Sequence, residues 1–148
     1  MEQEKRPGGL TALAIFNFIF AGFGVIGFIG IIVMRLVPID KIPPEQRAPY
    51  EAFQTMGILL FVGLLVLTLV SLGLELVSGI GYLKQKRGMG WMVGNIYAVL
   101  SVVSGLVSGL VMEPELGGGF SIGAILNFVY PVLTLILLNS TFKEDFTN

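Results

Sequence analysis

Thr68-Leu-Val-Ser-Leu-Gly-Leu-Glu-Leu-Val-Ser-Gly-Ile-Gly-Tyr82 is the stretch that decides how the chain is read. It is the second half of a long apolar run, and Glu75 is the only charged side chain inside any of the four such runs. Thr68, Ser71, Glu75, Ser78 and Tyr82 are spaced by three, four, three and four, so a helix carries all five on one stripe. The rest of the stretch is Leu, Val, Ile and Gly. In lipid such a stripe must face protein or a water-filled cavity, because hydrocarbon offers its polar groups no partner.

Composition sets the class. Of 148 residues, 54% are hydrophobic and 13% charged, where a soluble domain carries about 25% charged residues. Runs of roughly 20 apolar residues match the length at which a helix spans the hydrocarbon core. The expected fold is all-α: one four-helix transmembrane bundle, up-down-up-down, filling residues 1–148 as a single domain. Its spans fall at about 10–34, 56–83, 91–112 and 120–139. The lipid bilayer is the first partner. With net charge −1 and no long basic tract, nucleic acid is not expected as another. The chain has no cysteine and no histidine, which removes thiolate chemistry and the commonest haem, zinc and proton-shuttling ligand. No cofactor or metal is expected.

Working outward, the first span is rich in glycine and phenylalanine. Asn17, Ala21 and Gly24 share a face, and Gly24 and Gly27 are expected to let another helix backbone approach closely. The apolar run is too long for a signal-peptide core, so it is expected to be retained. Between the first two spans, Pro38, Pro43, Pro44 and Pro49 predict a turn followed by a short amphipathic helix, with Tyr50 and Phe53 at the lipid–water interface. Lys84 to Gly90 is a short basic turn, which makes the second and third spans an antiparallel hairpin.

Trp91 opens the third span as an interfacial anchor. Tyr97, Ser101, Ser104 and Ser108 repeat the spacing of four, three and four, with Gly105 and Gly109 as a GxxxG pair beside them. This second seam is expected to pack against the Glu75 stripe. In the fourth span Gly123, Asn127, Tyr130 and Thr134 share a face, and Pro131 is expected to kink the helix. Lysines and arginines number six on the side holding the N-terminus, the Lys84–Gly90 turn and the tail, against three on the other. That bias predicts both termini in the cytoplasm, and residence in the cytoplasmic (inner) membrane.

At about 1.5 Å of rise per residue, Glu75 lies about 12 Å from the cytoplasmic end, Asn17 about 10 Å and Tyr130 about 14 Å. Glu75, Asn17, Ser71, Ser78 and Tyr97 are therefore the candidate intramembrane polar site. No lysine or arginine shares that depth. An ionised carboxylate there needs several kcal/mol of compensation, so the expectation is a neutral carboxyl donating to Asn17, Tyr97 or a main-chain carbonyl.

The sequence Ser78-Gly-Ile-Gly-Tyr-Leu-Lys-Gln-Lys-Arg-Gly-Met-Gly-Trp91, followed by Asn95-Ile-Tyr-Ala98, resembles a pattern in small uncharacterised bacterial four-span membrane proteins. Arg6-Pro-Gly-Gly-Leu-Thr-Ala-Leu13 and Asn127-Phe-Val-Tyr-Pro-Val-Leu-Thr-Leu-Ile-Leu-Leu-Asn139 are similar to their two ends. The resemblance implies a four-helix membrane fold and brings no activity, cofactor or catalytic residue.

No pair of acids and no nucleophile–base set stands in or beside the spans, so no enzyme is expected. The leading expectation is a non-enzymatic protein, a small subunit or accessory factor of a larger membrane complex, or a homo-oligomer. The alternative is a small proton or cation transporter or channel that works through Glu75.

Overall fold

The computed structural model describes residues 7–111 and 122–147, and of residues 107–111 and 122–127 the backbone alone. The described chain is helical: α1 (Gly8–Leu36), α2 (Arg47–Thr55), α3 (Ile58–Lys84), α4 (Val93–Val111) and α5 (Ile122–Ser140). The third interhelical loop, Glu113 to Gly119, lies outside the described residues, as do Asn127, Ser108 and Gly109 as packing groups.

Each boundary has a local cause. Pro7 stands just outside α1, and its carbonyl accepts the Leu10 N–H at 3.1 Å, a position where proline's missing donor costs nothing. Three prolines, Pro38, Pro43 and Pro44, keep the α1–α2 connection to single 3-10 turns at Ile39–Lys41 and Pro44–Gln46. α2 is the short amphipathic helix that the prolines announce. Its end is tied to that of α1. Arg35 donates to the carbonyls of Phe53 and Met56 while its guanidinium lies 5.0 Å above the Phe61 ring. Gln54 donates to the Val37 carbonyl at 2.7 Å. A cation satisfying the last carbonyls of a helix is favoured by the helix dipole.

α3 ends at Gln85, whose φ of 50° is left-handed, and its N–H returns to the carbonyls of Gly81 and Tyr82. The chain then makes a wide π-type turn over Arg87–Met92 and enters α4 directly. Two glycines permit this reversal. A Cβ on Gly81 would overlap the backbone of Met89 and Gly90, and a Cβ on Gly90 would stand 2.9 Å from the Gly81 carbonyl carbon. The backbones of the α3 end and of the turn therefore touch without intervening side chains.

Neighbouring helices run antiparallel. Asn17 meets Ser78, Gly24 meets Leu72 and Arg35 meets Phe61, so α1 lies along α3 in the opposite sense. Tyr82 meets Gly94 and Glu75 meets Tyr97, which reverses α4 against α3. Asn95 meets Asn139 and Gly105 meets Phe128, which reverses α5 against α4. Among the described residues, a cluster of buried apolar side chains gathers at one end: Leu10, Leu13 and Ala14 from α1, Tyr82 from α3, Leu138 from α5, and Phe142 and Phe146 beyond it.

The outward faces are apolar. Leu59 is 84% exposed and Ile26 67%, which inverts the usual relation of core to surface. Gly8–Leu36, Ile58–Lys84 and Arg87–Leu106 are each long and apolar enough to cross a membrane, and Phe128–Ser140 is a shorter apolar helix.

The Gly81–Gly90 contact gives the first test. Gly81→Ala should cost about 1–3 kcal/mol by overpacking backbone on backbone. Gly88→Ala, where an added Cβ meets nothing within 4 Å, should stay within about 0.5 kcal/mol of the parent. Thermal unfolding in micelles compares them, and equal losses would refute the close-approach account.

Candidate functional site

The α3 stripe faces inward over its last half. Glu75 is 5% exposed, Ser78 and Tyr82 are fully buried, and Ser71 and Thr68 are half-buried. Thr68 returns its hydroxyl to the Leu64 carbonyl of its own helix. The stripe therefore has an outer part bonded to itself and an inner part bonded to its neighbours.

Asn17, fully buried on α1, is the hub of the inner part. Its Nδ2 donates to the Glu75 main-chain carbonyl at 3.1 Å and to Ser78 Oγ at 2.7 Å. Its Oδ1 accepts from the Tyr130 hydroxyl of α5, which also reaches the Leu13 carbonyl at 3.1 Å. Ser78 in turn donates to the Glu75 carbonyl at 3.0 Å. One amide side chain thus joins three helices. Such bonds matter most where no water competes.

The Glu75 carboxylate has a different partner. Tyr97 of α4, itself buried, donates its hydroxyl to Glu75 Oε1 at 2.8 Å. The expectation had Glu75 donating, with Asn17 among the acceptors. Tyr97 is the partner that meets the carboxyl, while Asn17 takes the main chain of the same residue. The cause is helix geometry: carbonyls point toward the C-terminus while side chains lean toward the N-terminus. The Glu75 carbonyl therefore lies at the level of Ser78, where Asn17 sits.

The second seam divides between two neighbours. Tyr97 faces α3, while a Cβ at Gly105 would stand 3.5 Å from Phe128 of α5. Ser101 and Ser104 are half-buried between. Gly24 is a true close approach, since a Cβ there would overlap Leu72. Gly27 corrects the expectation of a second one. It is exposed, and an added Cβ meets nothing within 4 Å. The seam steps from Gly24 to Phe28, one turn on, so position 27 falls outside it.

Tyr130 is the residue whose role the face pattern alone did not assign. Its ring lies tilted against Phe20 at 4.7 Å and Phe16 at 6.0 Å while its hydroxyl bonds Asn17. Its depth, close to that of Glu75, was the available signal. At the end of the bundle, Asn139 donates to Asn95 Oδ1, and Asn95 donates to the Trp91 carbonyl at 2.7 Å.

Comparison with protein-family models, with curated proteins and with solved structures finds no match. The chemistry must be read from the cluster. It offers one carboxylate, three hydroxyls and one amide, which crosslink α1, α3, α4 and α5.

Substitutions rank these bonds. Glu75→Gln keeps an acceptor for Tyr97 and should shift stability by less than about 0.5 kcal/mol, while Tyr97→Phe should cost about 0.6 kcal/mol. Asn17→Ala removes bonds to two helices together and should cost about 1–2 kcal/mol. Reversible unfolding in mixed micelles gives the order. An Asn17→Ala loss no larger than that of Tyr97→Phe would deny Asn17 the central place.

Proposed function

We propose that the chain is a multi-pass protein of the bacterial inner membrane, with α1, α3, α4 and α5 spanning up-down-up-down and both termini cytoplasmic. It works without enzymatic chemistry, as a small subunit or accessory factor of a larger membrane assembly or as a homo-oligomer. The 19 residues of α5 reach about 28 Å at 1.5 Å per residue, close to the hydrocarbon thickness. The excess of lysine and arginine at the Lys84–Arg87 end supports the orientation. The resemblance to small four-span bacterial membrane proteins implies the same four-helix fold.

The observation that carries the reading lies on the back of α1. Gly22, Gly27 and Gly30 stand away from the Asn17–Ala21–Gly24 face, and a Cβ on any of them meets nothing within 4 Å. Glycine facing lipid gives up packing and helix propensity for no return. Facing a helix of another chain, it permits the close approach by which membrane helices associate. Almost all of the chain is in or beside the spans, so the partner surface is itself in the bilayer.

Gentle-detergent purification and native mass measurement test this. The parent should run as an oligomer or with a co-purifying membrane protein. Gly27→Leu with Gly30→Leu should release it to a 16.0 kDa monomer with unchanged thermal unfolding. A parent that is already a lone monomer sinks the proposal.

One observation favours a second reading, proton or cation movement through Glu75: its buried carboxylate meets the Tyr97 hydroxyl, close to the Tyr130–Asn17–Ser78 bonds that end on the main-chain carbonyl of the same residue. In proteoliposomes, Glu75→Gln should then abolish flux while the protein stays folded. Equal flux from both proteins, or none, leaves Glu75 a structural residue.

A further inference from the structure

Beyond α5 the chain does not trail away. Thr141 and Phe142 return their N–H groups to the Leu137 carbonyl, and the chain folds under the end of the bundle. Phe142 and Phe146 are both buried there. Each ring sits on a glycine: a Cβ at Gly9 would overlap Phe142, and one at Gly90 would overlap Phe146. Phe146 lies 6.2 Å from the Tyr82 ring. The backbone completes the attachment as a parallel bridge between Lys86 and Thr147. The Arg87 N–H donates to the Thr147 carbonyl and the Thr147 N–H to the Gln85 carbonyl, both at 2.8 Å.

What lies beneath this segment is unsettled. The Trp91 indole N–H is buried without a hydrogen-bond partner, and the Tyr82 hydroxyl, buried beside Ser78 and Asn17, makes no well-formed bond. Tyr82 is in the cluster that Phe142 and Phe146 complete, and Trp91 packs against it. A buried donor left unpaired bears its whole desolvation penalty, which water removes on reaching it. Both donors thus favour a state in which this end is hydrated. Tyr82 also heads a column of polar groups on α3, with Ser78 next and Glu75 one turn further in.

We propose that residues 141–147 form a strap that lifts from Gln85–Arg87, hinged where α5 ends. Lifting admits water to Tyr82 and Trp91, and past Ser78 to Glu75. The strap gates the buried carboxylate from this end of the bundle, whichever use the carboxylate has.

The chain itself supplies the tools, since it has no cysteine and one tryptophan. Lys86→Cys with Thr147→Cys places a thiol pair across the bridge, so oxidation locks the strap and reduction frees it in one folded polypeptide. Acrylamide quenching of Trp91 reads opening. Labelling by a water-soluble carbodiimide with an amine, mapped by mass spectrometry against a Glu75→Gln blank, reads access to Glu75. Oxidation should lower both signals severalfold, and Phe146→Ala in the reduced protein should raise both. If Trp91 responds and Glu75 does not, the strap is a cap and the gate is refuted. If neither responds, the strap does not lift. Should Phe146→Ala fail to fold, the oxidised and reduced forms still decide.

Discussion

The side-chain amide of Asn17 holds the bundle's inner half together. It donates to α3 twice and accepts from α5 once, and it is fully buried. Helices with apolar outer faces gain little by hiding those faces from a bilayer, so association rests on close packing and on polar groups that pair. The structure uses both at one level. Asn17 and Tyr130 cross between helices, and Gly79 lets the α3 backbone approach, its absent Cβ standing only 3.3 Å from that of Asn17.

The same constraint explains the ends. Arg35 and Gln54 satisfy carbonyls where α1 and α2 stop. At the opposite end Gln85 turns left-handed and pairs with the returning chain, donating through Nε2 to the Asp145 carbonyl at 3.1 Å. The Arg87 guanidinium lies 5.6 Å over the Trp91 ring. The hydrogen-bonding devices among these meet main-chain groups that a helix terminus leaves open. None requires a ligand, and the Glu75 carboxylate is not needed to close any helix.

Much of this was legible in the residues. Apolar run length and the rarity of charge gave the helices, and spacings of three and four gave the inward faces of α1 and α3. The short basic turn at Lys84–Gly90 required an antiparallel hairpin. These follow from local periodicity and chain connectivity, which a sequence carries explicitly.

What only the tertiary structure decided is which atom meets which. Sequence placed Asn17 and Glu75 at similar depth, but the carbonyl direction sent Asn17 to the main chain and left the carboxylate to Tyr97. Gly24 and Gly27 look alike in sequence, and the register of α1 on α3 closes one and opens the other. The last residues read as a polar tail, because two phenylalanines among Lys, Glu, Asp and Thr make no apolar run. Their burial depends on Gly9 and Gly90, which are distant in the chain and meet them only after the helices have packed. Periodicity fixes the face a residue presents, while partner identity depends on register and on non-local contacts that no single segment encodes.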